Sequence, residues 1–174
     1  MKLMQTTALV VASVAATTAW AAQDVSLNDV EVRAELSDFS DSNALKYWPN
    51  LEADLQRAIV DRVELSGAAE DPRIEVEISK ISVDGDTFLP DSGEFNELEG
   101  VVKFYEGDSA VSVQGKATSD QNLPDSSYPL RLSARSPEGN PPEGWVMVPP
   151  SQDDFYNVMV EAFADEIVED IEQQ

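Results

Sequence analysis

The chain has 174 residues and contains neither histidine nor cysteine. Without histidine it lacks the commonest general base and the commonest zinc ligand. Without cysteine it has no disulfide framework, no thiolate metal site and no lipid-modified cysteine at its N-terminus. Together the two absences exclude Ser-His and Cys-His nucleophiles, iron–sulfur clusters and ordinary zinc centres. Glycine is sparse and scattered: eight residues, none opening a helix after a strand at the spacing of a phosphate-binding loop. Bases are also scarce, 11 Lys and Arg against 34 Asp and Glu.

The formal net charge is −23. A field of that sign repels phosphate backbones and anionic headgroups, so nucleic acid and anionic membrane surfaces are excluded as direct partners. The acids thicken twice. Asp84, Asp86, Asp91, Glu94, Glu97 and Glu99 follow one another with no base between them, and after Arg135 ten acids occur with no Lys or Arg. Most of these carboxylates read as a solvated surface that keeps the protein soluble.

The first 21 residues have the three parts of a secretory signal: Lys2, an apolar stretch around residues 8–16, and small residues Ala19 and Ala21 before Ala22. Cleavage is expected between Ala21 and Ala22. The apolar stretch is interrupted by Ser13, Thr17 and Thr18 and is too short to span a bilayer. Residues 22–174 then form one acidic domain, long enough to bury a full core. The expected location is the periplasm or the medium, in soluble form.

Hydrophobic periodicity sets the architecture. Val30, Val32, Ala34 and Leu36 alternate with charged residues, a half-buried strand. Leu51, Leu55, Ala58, Ile59, Arg62 and Val63 recur at helical spacing, one apolar stripe broken only by the long-stemmed Arg62, with Pro49 fitting the first turn and Gly67 as a stop. Residues 73–84 alternate in one phase through Ile74, Val76 and Ile78 and in the other through Ile81 and Val83, so a bulge is expected near Ser79 and Lys80. Residues 84–99 read as a long loop. Residues 97–105 and 109–118 read as a hairpin across Glu106-Gly107-Asp108, followed by a strand at 128–134 and a short edge strand at 145–148. A C-terminal helix starts at Ser151, with Phe155, Val158, Met159, Ala162, Phe163 and Ile167 as its buried stripe. The fold class is α+β: a single twisted, mostly antiparallel sheet with two amphipathic helices on one face, in the order β-α-β-β-β-β-α.

The chemistry on offer is that of carboxylates. Asp84, Asp86, Asp91, Glu94 and Glu97 on the long loop are the candidate Ca2+ ligands, because calcium takes several oxygens from a turning segment. Their spacing departs from the EF-hand pattern, since Phe88 and Leu89 fall where ligand and glycine would stand. No other cofactor is implied. Phe88, Leu89, Phe95, Tyr47, Trp48 and Trp145 either line a partner groove or pack beneath their loops, the second being the commoner outcome.

The strand at 30–36, the helix at 51–63 and the helix at 155–171, arranged around a strand meander behind an export signal, resemble small bacterial envelope proteins of the transport-auxiliary and outer-membrane assembly lipoprotein kind. The resemblance covers most of the exported chain. It implies a compact module that binds a protein partner in the envelope. The chain departs from that pattern in lacking the lipid-bearing cysteine, which removes the implied membrane tether. The leading expectation is an exported, non-catalytic accessory or binding protein of the cell envelope. A Ca2+-binding extracellular acidic protein and a carboxylate-only hydrolase are the alternatives.

Overall fold

The computed structural model describes residues 25–36, 41–107, 123–134 and 152–173. The expected leader, its Ala21–Ala22 junction, residues 109–118, the Trp145 segment and the Ser151 cap lie outside them. Four strands form the main sheet: β2 (Asp29–Ala34), β4 (Arg73–Ser82), β5 (Glu97–Tyr105) and β6 (Ser126–Ser133). Their order is β2-β4-β5-β6, with β2 parallel to β4 and the other two pairings antiparallel. β1 (Ser26–Leu27) precedes β2 and pairs in parallel with β3 (Glu64–Leu65), which follows the first helical segment. The parallel β2–β4 pair follows from its connection, a helical crossover rather than a tight turn.

Alternation dictates what each sheet face does. Val30, Val32, Ile74, Val76, Ile78, Leu98 and Val102 point to one side and are buried. The register shifts between Ile78 and Lys80, so the bulge lies where the change of phase in the sequence requires it. Beyond it Ile81 returns to the core at 1% exposure.

The helices cover that apolar face. α1 (Ala44–Tyr47) is a single turn, and α2 (Leu51–Val60) buries Leu51, Leu55, Ala58 and Ile59. α2 stops at Val60, well before Gly67, which adopts φ +64° in the loop after β3. α3 (Gln152–Glu172) buries Tyr156, Met159, Val160, Phe163, Ala164, Ile167, Val168 and Ile171. This stripe is turned by about one residue from the sequence expectation, leaving Phe155, Val158 and Ala162 half-buried. The reason lies in Tyr156. Its ring stacks on Trp48 at 4.1 Å and its hydroxyl donates to Asp54 Oδ2 at 2.9 Å, drawing position 156 inward. Burial, then Asp54, pushes the Tyr156 pKa far above its ordinary value. Phe163 sits at the centre of the core, fully buried, a burial contributing about 1.5–3 kcal/mol. It meets the sheet at Gly100, where a Cβ would lie 3.3 Å from its ring and 2.8 Å from the Glu77 carbonyl oxygen.

Arg62, just past α2, clamps the two helices. It donates to Asp165 Oδ1 at 2.6 Å, to Glu161, and to the Ala58 carbonyl at 2.7 Å. α2 also guards the outer edge of β2. Gln56 Nε2 donates to the Val30 carbonyl at 2.8 Å, and Glu52 Oε1 accepts from the Ala34 N–H at 2.7 Å. These side chains do for β2 what a fifth strand would otherwise do.

Two expectations are revised. β5 carries β4 on one edge and β6 on the other, so its antiparallel return strand is 126–133, not 109–118. The long acidic loop ends at Asn96, because Glu97 already belongs to β5.

Candidate interaction surface

On the face of the sheet away from the helices the same alternation sets out polar side chains, and no described helix lies over them. Strand register brings them into rows. Glu31, Glu75, Lys103 and Ser127 form one row, and Arg33, Glu77, Val101 and Pro129 the next. Beyond the bulge, Lys80, Glu99 and Arg131 align, then Ser82, Glu97 and Ser133.

Within and between these rows the charges pair. Lys103 Nζ lies 2.7 Å from Glu77 and 3.2 Å from Glu75. Lys80 Nζ lies 3.1 Å from Glu99 and 3.5 Å from Glu97. Arg131 reaches Glu97 at 2.6 Å and Glu99 at 3.3 Å, and Arg33 reaches Glu31 at 2.6 Å and Glu75 at 3.7 Å. Arg73 lies over the Tyr105 ring at 3.6 Å, while the Tyr105 hydroxyl donates to Glu75. Arg33, Lys80, Lys103 and Arg131 are each shared by two carboxylates, and Arg73 joins them through the Tyr105 ring, so the lattice holds as a network rather than as isolated pairs.

Its electrostatics follow. The Ser82 hydroxyl, donating at 2.8 Å, and then Arg131 hold the Glu97 carboxyl below the usual carboxylate range. At Glu75 burial pushes the other way, but Lys103, Tyr105 and Arg33 outweigh it and the pKa falls. Lys103 is raised, chiefly by its bond to Glu77. Among the described residues every carboxyl whose pKa moves, Asp71, Glu75 and Glu97, moves down. A general acid requires the opposite displacement.

Arg33, Arg73, Lys80, Lys103 and Arg131 are five of the chain's 11 bases. They share this face with seven acids: Asp29, Glu31, Glu75, Glu77, Glu97 and Glu99 on the strands, and Glu35 just past β2, close enough to act on Arg33. The face is therefore close to neutral, whereas the rest of the molecule carries nearly all of the net charge. Val101 of β5 and Pro129 of the edge strand β6 are cross-strand neighbours, an apolar spot flanked along the strands by charged rows.

The five candidate Ca2+ ligands are not brought together. Asp84 and Gly85 form the two central residues of a tight turn, with φ +50° and +90°, closed by paired hydrogen bonds between Val83 and Asp86. Asp-Gly is the dipeptide such a mirror-image turn favours. Asp84 exchanges two hydrogen bonds with Asn96, and Asp86 Oδ1 accepts from the Phe88 N–H. Asp91 and Glu94 are exposed, and Glu97 belongs to the sheet lattice. Among the described residues no group of three or more acids is placed to hold a metal ion.

Two of the loop's apolar residues, Leu89 and Phe95, pack beneath it. The Trp48 indole N–H donates to the Gly93 carbonyl at 2.9 Å, and Asn43 bonds both the N–H and the carbonyl of Leu89. Phe88 faces out, 59% exposed. Sequence reading missed the sheet lattice, because its members come from four strands whose mutual register the sequence does not state. The signal present was the run of charged residues at the polar positions of β4 and β5. No family model matches the chain, and neither the curated proteins nor the solved structures contain a match.

Proposed function

We propose that this protein is an exported, non-catalytic binding module of the bacterial cell envelope that meets its protein partner through the helix-free face of its sheet. The carrying observation is the segregation of charge. On a molecule with formal charge −23, the face holding Val101 and Pro129 carries nearly balanced charges, and another macromolecule approaches it without strong repulsion. The export signal at residues 1–21 supports the location. No described helix is long and apolar enough to cross a membrane. The lack of histidine and cysteine supports a role in binding rather than turnover.

The test combines processing with site-directed cross-linking. N-terminal sequencing of the exported protein is expected to begin at Ala22. A photoreactive residue at Val101 is expected to yield one discrete cross-linked species in the envelope fraction, and one at Glu169, on the exposed side of α3, is expected to yield none. Equal yields from both positions, or retention of residues 1–21 in the exported form, would refute the reading.

A further inference from the structure

The acidic loop opens on the one Asp-Gly dipeptide of the chain, and no Asn-Gly occurs. Asp84 is also the only described residue other than glycine with a positive φ, +50°, a region that side chains with a Cβ rarely adopt. Asp84 and Gly85 are both exposed, and the space that a Cβ on Gly85 would fill is open. Two hydrogen bonds hold Asp84 from one side. Its N–H donates to Asn96 Oδ1 at 2.9 Å, and Asn96 Nδ2 donates to Asp84 Oδ1 at 2.8 Å. Asn96 is itself fixed through its backbone: its N–H donates to the Ser82 carbonyl at 3.0 Å, and its carbonyl accepts from the Ala134 N–H at 2.8 Å.

An aspartyl Cγ can close a ring on the nitrogen of the next residue, and glycine offers that nitrogen without a hindering side chain. From this geometry we infer that Asp84–Gly85 is a site of isoaspartate formation and that the Asn96 side chain restrains it. The Gly85 nitrogen attacks Cγ of the Asp84 carboxyl in its protonated form. A C–N bond forms, the carboxyl hydroxyl and the amide hydrogen leave as water, and a succinimide ring results. Water then opens the ring. Addition at Cγ regenerates aspartate. Addition at the backbone carbonyl carbon leaves the chain running through Cβ and Cγ, longer by a methylene. Ring closure turns the side chain and backbone of Asp84 onto each other, whereas Asn96 holds both, one through the carboxyl and one through the N–H. The longer product does not fit the tight turn closed by Val83 and Asp86, and so disturbs the backbone that presents Phe88. The chemistry needs only water and stands apart from the sheet face.

The experiment ages the chain in mildly acidic buffer, folded and in concentrated urea. Isoaspartate is read by enzymatic methyl transfer and by fragmentation mass spectrometry of the tryptic peptide Ile81–Lys103. That peptide also holds Asp91-Ser92, a reference within the same loop. In urea Asp84 is expected to convert about tenfold faster than Asp91, because serine hinders the attacking nitrogen and glycine does not. In the folded parent Asp84 is expected to convert at least about tenfold more slowly than in urea. Asn96→Ala keeps both backbone bonds of residue 96. It is expected to raise the folded-state rate at Asp84 about threefold to tenfold, as the loss of two exposed hydrogen bonds implies, and to leave Asp91 unchanged. Equal acceleration at Asp91 would show general loosening and overturn the inference. An unchanged rate at Asp84 in Asn96→Ala would overturn it too, as would equal rates at Asp84 in the folded parent and in urea, or Asp91 converting the faster of the two in urea.

Discussion

Gly100 is the position where the sheet and α3 come closest, and Gly100→Ala is the sharpest test of the packing. Gly100 lies in β5 opposite Ile78, and its hydrogen takes the place of a methyl that would stand 2.8 Å from the Glu77 carbonyl oxygen and 3.3 Å from the Phe163 ring. The first contact is with backbone and is relieved only by moving β4 away from β5. The second is with a side chain that is itself fully buried. Overpacking of this kind costs about 1–3 kcal/mol. Alanine restricts the unfolded chain and returns about 0.4–1 kcal/mol. The net expectation is a loss of about 1–2 kcal/mol, or about 2–8 °C in Tm at roughly 2–4 °C per kcal/mol. Urea melts of Gly100→Ala, Phe163→Leu and the double variant measure it. Phe163→Leu alone loses about 1–2 kcal/mol by leaving space. The double variant is expected to fall short of additivity by about 0.5–1 kcal/mol, since the smaller side chain accommodates part of the new methyl. The Glu77 contact remains, so rescue is partial. A Gly100→Ala protein as stable as the parent, or strict additivity, would refute the close approach of α3 to β5.

Three further expectations follow from the charges. Arg62→Met keeps the apolar stem but abandons Glu161 and Asp165, whose side chains are 54% and 67% exposed, so the loss is discounted to about 1 kcal/mol; an unchanged urea midpoint would show that the clamp adds nothing. The Glu75 carboxyl is held below its ordinary value of 4.5, so the stability it contributes is complete above pH 4.5 and disappears as pH falls through its lower folded-state value. The stability gap between parent and Glu75→Gln should therefore narrow only below pH 4.5, and a gap that widens there would reverse the assigned sign. Added NaCl is expected to raise Tm up to molar concentration, because screening relieves repulsion among many unpaired acids while weakening only a limited set of ion pairs; a steady fall in Tm with salt would show that the sheet lattice outweighs self-repulsion.

Much of the fold was legible because it rests on periodicity. The two phases of residues 73–83, Ile74-Val76-Ile78 and Ile81-Val83, required the bulge that the register shows between Ile78 and Lys80. The α2 stripe was readable from Leu51 to Ile59, but the helix stops at Val60, so Arg62 and Val63, which continued the periodicity, lie beyond it. The rotation of the α3 stripe was not readable, because it depends on one polar anchor, the Tyr156 hydroxyl on Asp54, which periodicity does not register. The partner of β5 was misplaced for a related reason. A turn signal at Glu106-Gly107-Asp108 favours the nearest strand-like segment, whereas pairing follows burial, and Tyr128, Leu130 and Leu132 pack against the core. The acidic loop drew attention as a ligand set because its composition was conspicuous. Its Asp84-Gly85 dipeptide carried the opposite message, that of a tight turn, which the φ angles confirm. The sheet lattice depends on register across four strands, and no local window holds that information.

The guarding of β2 by α2 ties two kinds of failure together. Gln56 and Glu52 occupy the hydrogen-bonding positions that a foreign strand would take up. Anything that lifts α2 away bares apolar core and at the same moment exposes an unsatisfied strand margin beside it. Loss of this helix would thus seed chain-to-chain polymerisation rather than a harmless partial unfolding, and a molecule that repels its own copies in the native state would find in that single event its easiest route to joining them.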